Sequence, residues 1–212
     1  MIRGAIFDLD GTLLDSMQVW DTVAEDYLRS LGKKPEEDLR ERFRTYSLRQ
    51  SAEYYRTHYG VELSVPEIMD GINRMVASAY LHTVPLKPGV AGYLGRLRAA
   101  GVKLCVATVT DKALTQAALT RCGVMSCFSG IFTCAEVGHG KDEPHLYRTA
   151  QAALGTGRRE TAVYEDSLYA MRTARAEGFF TVGVRDPHEP DQEGLRALSD
   201  VYLTDFAVAP LP

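Results

Sequence analysis

The sequence lacks an excess of basic residues. Its 212 residues include 24 Lys and Arg against 28 Asp and Glu, which gives a formal net charge of −4. Proteins that bind nucleic acid need clustered positive charge to neutralise phosphates. Nucleic acid is therefore not an expected partner.

Long apolar runs are also missing. No stretch approaches the ~18 consecutive apolar residues of a membrane span. The apolar run after Met1 is short, and Asp8 interrupts it before a signal-peptide core could form. These features predict a cytoplasmic protein without a membrane partner.

Cysteine and histidine are few and show no ligand spacing. The four cysteines contain no C-x-x-C pair, which favours reduced, buried thiols over disulfides or a zinc site. The five histidines are not spaced like metal ligands either. His139 lies close to Lys141, but the His-Gly pair predicts a loop and not a metal ligand.

What is present is an ordinary globular composition, with 45% apolar and 25% charged residues. The length suits one sizeable core, or a core with a smaller inserted domain.

Residues 5–15 read A-I-F-D-L-D-G-T-L-L-D, an apolar run that ends in two aspartates and a glycine. If the strand pattern persists to its end, alternation places Phe7 and Leu9 on one face and Asp8 and Asp10 on the other. Two carboxylates at such a short distance repel each other unless a cation lies between them or one of them holds a proton. The pair is a candidate site for metal-assisted acid, base or nucleophile chemistry.

Residues 17 to about 82 show only helical patterns. Apolar residues at helical spacing predict a first helix that buries Trp20, Val23, Ala24, Tyr27, Leu28 and Leu31. Ser47 with Gln50, and Ser64 with Glu67, have the spacing of capping boxes that open two further helices. This block reads as a small helical bundle.

After a stiff connector at residues 85–89, strands and helices alternate. Strands are predicted near residues 103–107, 130–133, 161–164, 179–184 and 201–203, with helices between them. The predicted fold class is α/β: a Rossmann-like parallel sheet with helices on both faces, plus the inserted helical cap. The core would comprise residues 1–15 and 84–212, and the cap residues 16–83. Ligands of such sheets bind beyond the carboxyl ends of the strands. The cap would lie over Asp8 and Asp10 there and exclude water.

Four motifs in order resemble those of the haloacid dehalogenase-like hydrolases, in particular the phosphatases with an inserted helical cap. They are F-D-L-D-G-T at residues 7–12, V-A-T at 106–108, G-K at 140–141 and Y-E-D at 164–166. The resemblance covers nearly the whole chain. A D-x-D-G-T alone is a modest signal and its Asp-Gly is often only a turn, but four ordered motifs are specific.

The resemblance implies a role for each residue. Asp8 would attack phosphorus, and Asp10 would protonate the leaving oxygen and then activate water. Mg²⁺ would be held by Asp8, Asp166, Glu165 and the backbone carbonyl of Asp10. The phosphate-binding residues would be Thr108, Lys141 and Gly11.

Elementary electrostatics also requires such groups. A carboxylate that attacks a phosphate monoester meets like charge, which costs roughly 1 kcal/mol per pair at ~4 Å in water and about 4 at an effective dielectric of 20. A divalent ion and a lysine offset that repulsion.

One feature departs from the family pattern, and another leaves the substrate-binding residues open. Asp142 and Glu143 follow Lys141 and would either weaken its field or point to solvent. Arg44, Arg49 and Arg56 could bind a second anionic group, although a solvated face is the simpler interpretation.

The leading functional prediction is hydrolysis of a small phosphate monoester. A phosphomutase of the β-phosphoglucomutase type shares all four motifs, so it remains an alternative. A catalytically idle binding or regulatory relative is a third hypothesis, although it would normally have lost the nucleophile or a metal carboxylate. Dehalogenation is disfavoured because it would have little use for Asp10 or for the acidic pair. The substrate stays open, and a monomer is the simplest expectation.

Overall fold

The computed structural model describes residues 1–43, 46 and 48–212. The chain divides into two compact units. One comprises Met1–Asp15 with Val84–Pro212, and the other comprises Ser16–Thr83.

The smaller unit contains four helices. They are α1 (Met17–Ser30), α2 (Leu39–Phe43), α3 (Leu48–Tyr59) and α4 (Val65–His82). The predicted capping box is present at the start of α4: the Ser64 hydroxyl accepts from the Glu67 N–H, and the Glu67 carboxylate accepts from the Ser64 N–H. The other predicted capping box begins at Ser47, and Arg44 is a second predicted residue of this region; both lie outside the described residues. Arg49 and Arg56 are exposed, as a solvated face predicts.

The buried face of α1 is narrower than expected. Val23, Tyr27 and Leu28 are buried, whereas Trp20 is 46% exposed, so the prediction of a buried Trp20 is wrong. Trp20 lies in the first turn, where its indole N–H donates to the Tyr80 hydroxyl at 3.1 Å. An amphipathic ring with one end satisfied this way tolerates partial exposure.

The larger unit is built on six parallel strands. They are β1 (Gly4–Phe7), β2 (Lys103–Thr108), β3 (Ile131–Thr133), β4 (Thr161–Glu165), β5 (Phe180–Val184) and β6 (Val201–Leu203), in the sheet order β3-β2-β1-β4-β5-β6. Its helices are α5 (Val90–Ala99), α6 (Lys112–Arg121), α7 (Cys134–Val137), α8 (His145–Leu154), α9 (Leu168–Ala176) and α10 (Gln192–Ala197). The predicted α/β fold with a parallel sheet is confirmed. The short helices α7 and α10 were not predicted.

The central strand β1 is buried along its whole length and pairs with β2 on one side and β4 on the other. The ring of Phe7 stacks on that of Tyr164 in the neighbouring strand, with centroids 4.0 Å apart. Helix α8 packs on the sheet through its apolar face, where Leu146, Ala150 and Leu154 join Ile6 in one buried cluster. This packing fixes β1 and α8, the two elements next to Asp8 and Lys141, relative to each other.

The strand β1 stops at Phe7, so the expected alternation through Asp10 is wrong. The N–H of Asp8 still donates to the Tyr164 carbonyl, but the next residues turn: the N–H groups of Leu13 and Leu14 both donate to the Leu9 carbonyl. A turn replaces the strand because Gly11 adopts a φ of +76°, which only glycine takes up easily. Asp8 and Asp10 therefore lie on the loop that follows β1.

Among the helices of the described part of the chain, none combines the length and the apolar character needed to cross a membrane.

Candidate active site

The predicted site residues lie where the central strands end. Asp8 follows β1, Thr108 is the last residue of β2, and Glu165 and Asp166 end and follow β4. Because β2, β1 and β4 are parallel neighbours, their carboxyl ends share one edge of the sheet. Lys141 reaches the same place from the loop before α8.

Lys141 is buried with only 3% exposure and lies between two carboxylates. Its ammonium donates to Asp8 Oδ1 and, at 2.6 Å, to Glu165 Oε1. Burial by itself lowers the pKa of Lys141, but the charges of Asp8 and Glu165 outweigh it and hold the pKa above its usual value. Lys141 is therefore a fixed positive charge against Asp8.

Tyr147 is a site residue that the sequence did not reveal. It lies on α8 and is fully buried, and its hydroxyl donates to Glu165 Oε1 at 2.8 Å. Burial, followed by the charge of Glu165, raises the pKa of Tyr147, so the hydroxyl keeps its proton and remains a donor. Helical spacing predicts that this position is buried but says nothing about the partner of its hydroxyl. Glu165 Oε1 thus accepts from both Lys141 and Tyr147.

Asp166 is held by the loop that follows β1. The Thr12 hydroxyl donates to Asp166 Oδ1 at 3.1 Å. A Cβ atom on Gly11 would lie 2.2 Å from Asp166 Oδ2, so only glycine leaves room for this carboxylate. Burial, and then the charge of Glu165, raises the pKa of Asp166 to about 7.

The structure relates Gly11 to Asp166, although the sequence placed Gly11 among the phosphate-binding residues. Its N–H donates to the Leu14 carbonyl at 3.0 Å, within the turn. The predicted phosphate-binding role of Gly11, to let backbone N–H groups after Asp10 approach the phosphate closely, stays a prediction. Gly11 serves the site by giving space to a carboxylate.

Thr110 positions Asp10, and like Tyr147 it is a site residue that the sequence motifs do not identify. The hydroxyl of Thr110 donates to Asp10 Oδ2 at 2.6 Å, and the Thr110 N–H donates to the hydroxyl oxygen of Thr108 at 3.0 Å. The Thr108 hydroxyl accepts this bond and keeps its own proton for another acceptor. Only the spacing T-x-T, which begins at the last residue of β2, could have indicated that two hydroxyls lie together at the end of this strand.

One group of side chains in the described part of the chain suits a hard divalent cation. Asp8, Glu165 and Asp166 each offer a carboxylate oxygen, and these atoms lie within 4.8 Å of one another. Asp10 adds a fourth negative charge near Asp8, and burial raises the pKa of Asp8 well above its usual value although the charge of Lys141 lowers it. Oxygen ligands and an excess of negative charge fit Mg²⁺. The predicted contribution of Asp10 is its backbone carbonyl, and its carboxylate is not part of this group.

The acidic residues after Lys141 do not approach the buried site. Asp142 and Glu143 are both exposed. Their charges therefore lie in solvent, where water screens them, which removes one of the two interpretations left open by the sequence.

Comparisons with known proteins identify similar chains. A family profile described as haloacid dehalogenase-like hydrolase matches residues 5–184. Validoxylamine A 7'-phosphate phosphatase from Streptomyces hygroscopicus subsp. limoneus is 28% identical over 97% of the chain and 95% of its own length. The β-phosphoglucomutase of Bacillus subtilis is 26% identical over 86% of the chain and 83% of its own length. A Thermotoga maritima protein crystallised as a candidate β-phosphoglucomutase superposes with a TM-score of 0.86 at 22% identity, covering 97% and 95% of the two chains.

Proposed function

The chain belongs to the haloacid dehalogenase-like hydrolases and is a phosphoric monoester hydrolase, and we propose that it works through an aspartyl-phosphate on Asp8 with Mg²⁺. One observation carries the proposal: the buried ammonium of Lys141 joins Asp8 to Glu165 at the strand ends, beside Asp166. A nucleophile, its counter-charge and an additional carboxylate for metal thus occupy one small volume.

The proposed reaction gives each of these groups a task. An oxygen of Asp8 attacks phosphorus, the bond from phosphorus to the ester oxygen breaks, and Asp10 gives its proton to that oxygen. Asp10 then takes a proton from water as the water oxygen attacks phosphorus, which releases phosphate and restores Asp8. Lys141 holds Asp8 throughout, and the Thr108 hydroxyl donates to a phosphate oxygen.

Asp8, Asp166 and Glu165, with the Asp10 carbonyl, are the residues that would hold Mg²⁺. Bound there, the ion supplies positive charge that offsets the repulsion between carboxylate and phosphate. Glu165 is already tied to Lys141 and Tyr147 through Oε1, so we assign it the smaller share of this task and Asp166 the larger.

An assay of Asp8→Asn tests the proposal. The native chain with Mg²⁺ should release phosphate from members of a panel of phosphorylated metabolites, and Asp8→Asn should lose nearly all of that activity because an amide is not a nucleophile here. Release that survives the substitution would contradict the assignment. No release from any member of a broad panel would favour the idle binding relative.

A phosphomutase is the second candidate, supported by the similarity to the B. subtilis β-phosphoglucomutase. The two activities share the first chemical step and differ in whether water or a sugar hydroxyl receives the phosphoryl group. The same assay separates them. Interconversion of sugar phosphates without release of phosphate would favour the mutase.

The role of Asp10 has its own test. Asp10→Asn should slow turnover severely and leave Mg²⁺ affinity nearly unchanged, because its carboxylate carries protons and lies outside the metal group. Equal loss of turnover and of Mg²⁺ affinity would show that Asp10 is primarily a metal ligand.

The physiological setting is also part of the proposal. We infer a cytoplasmic enzyme that acts on a small phosphorylated metabolite, with substrate choice in residues 16–83. Its relative from Streptomyces, whose name specifies a small phosphorylated molecule, supports the substrate class. The insertion of residues 16–83 into the loop that begins with Asp8 supports their role in selecting the substrate.

A further inference from the structure

A second cluster of possible metal ligands lies in the segment that carries Lys141. His139 and Glu143 flank that lysine, and His145 begins α8. Their side chains are 40%, 51% and 46% exposed, whereas Lys141 is buried. The cluster is therefore distinct from the buried carboxylate group.

The distances fit a small divalent ion. His139 Nδ1 lies 3.0 Å and His145 Nε2 lies 3.5 Å from the same oxygen, Glu143 Oε2. All three candidate ligand atoms lie within 4.8 Å of one another. Zinc bonds of about 2.0–2.2 Å in tetrahedral geometry separate adjacent ligands by about 3.3–3.5 Å. The two rings stack with centroids 3.9 Å apart, so the side chains of His139 and His145 lie side by side.

The chemistry of the donors selects the metal. Two imidazole nitrogens and one carboxylate suit zinc and similar transition metals, whereas Mg²⁺ and Ca²⁺ prefer oxygen ligands. The neutral imidazole is the form that binds metal.

We propose that His139, Glu143 and His145 form a surface site for one Zn²⁺ ion, with water completing the coordination. The site is independent of the proposed phosphatase chemistry. Because its ligands come from both sides of Lys141, a bound ion would join the two ends of this segment. Metal that binds only the folded chain also stabilises it.

Zinc titration by calorimetry in excess Mg²⁺ tests the site, since Mg²⁺ competes for the buried carboxylates. The native chain should bind one Zn²⁺. His139→Ala and His145→Ala should each weaken binding by more than about tenfold, because removal of even an outer partner of a metal ligand costs that much. His82→Ala is the matched control, since His82 is an exposed histidine near the end of α4. It should bind zinc like the native chain.

A second measurement separates the two candidate metal sites. Co²⁺ in place of Zn²⁺ should give visible absorption bands that disappear in His139→Ala and Glu143→Gln but persist in Asp166→Asn. Zinc affinity unchanged in both histidine variants would overturn the proposal, and so would cobalt bands lost only in Asp166→Asn. Either result would show that Glu143 only forms ion pairs with the two histidines and that the cluster binds no metal.

Discussion

At the scale of single residues, the site depends on hydroxyl groups that hold carboxylates in place. Thr110 donates to Asp10, Thr12 to Asp166 and Tyr147 to Glu165. Each donor fixes one oxygen of an acidic residue. Hydrogen bonds to charged groups are worth more than neutral ones, so these contacts should be visible in kinetics.

Thr110→Val should lower kcat by about tenfold and leave KM nearly unchanged. The substitution keeps the shape of the side chain but removes the hydroxyl that orients Asp10, and a bond to a charged group is worth about 1.5 kcal/mol or more. Steady-state kinetics measures the effect. Thr110→Ser retains the hydroxyl and should restore most of the rate; a serine variant as slow as valine would show that the methyl group matters instead.

Stabilisation of the protein by Mg²⁺ should depend on pH around the pKa of Asp166. Burial raises this pKa from 3.8 to about 7, so between these values the folded chain holds a proton that the unfolded chain has released. Without metal, this group therefore lowers stability as pH rises through that window. Mg²⁺ competes with the proton and should raise Tm more above pH 7 than below it.

Thermal unfolding with Mg²⁺ and with a chelator, one pH unit on either side of 7, measures this dependence. In Asp166→Asn, which cannot ionise, the gain in Tm from Mg²⁺ should be small at both values. An equal gain for the native chain at both pH values would contradict the pKa given for Asp166.

At the scale of elements, the turn after β1 is as important as the strand itself. Gly11 has a φ of +76°, and a Cβ atom there would overlap Asp166. Gly101 offers a matched position, with a φ of +80° and no atom within 4 Å of its hypothetical Cβ. Substitution of each glycine by alanine therefore separates two effects. Both changes strain the backbone, but only the change at Gly11 removes space for the Asp166 carboxylate.

Gly11→Ala should therefore weaken Mg²⁺ binding severely, whereas Gly101→Ala should only lower the free energy of unfolding, by about 1 kcal/mol. Calorimetric titration with Mg²⁺ and chemical denaturation measure the two effects. Equal Mg²⁺ affinity in both variants would mean that Asp166 moves aside without consequence.

The element boundaries near the site show where local patterns mislead. Alternation predicted a strand through Asp10, but β1 ends at Phe7 because the backbone of Leu9 accepts two hydrogen bonds from the turn. Similarly, helical spacing predicted that Tyr147 lies on the buried face of α8. It could not predict that the Tyr147 hydroxyl donates to Glu165.

At the scale of the whole molecule, the sheet order brings distant segments to one place. Lys141 contacts Asp8 across 133 positions of sequence, and Thr12 contacts Asp166 across 154. All these contacts lie within the unit formed by residues 1–15 and 84–212. A ligand that binds at the site should therefore change hydrogen exchange in several separate segments of the chain at once.

Hydrogen exchange should reveal this in the native chain. Mg²⁺ with beryllofluoride, a mimic of the aspartyl-phosphate, should slow exchange near residues 8–15, 106–111, 139–147 and 164–168 together. Asp8→Asn cannot form the adduct and should lose most of the protection. Protection confined to one of these segments would contradict a site assembled from all of them.

The sequence by itself determined the fold class and the family, because periodicity and motif order are local properties that do not depend on distant contacts. It also placed the acidic residues of Y-E-D directly at the end of a strand. Only the tertiary structure decided the sheet order, the hydroxyl partners of the carboxylates, the exposure of Trp20 and the meeting of His139 with His145. Side-chain partners depend on how packed elements and their loops are placed, and no spacing within one segment specifies that placement.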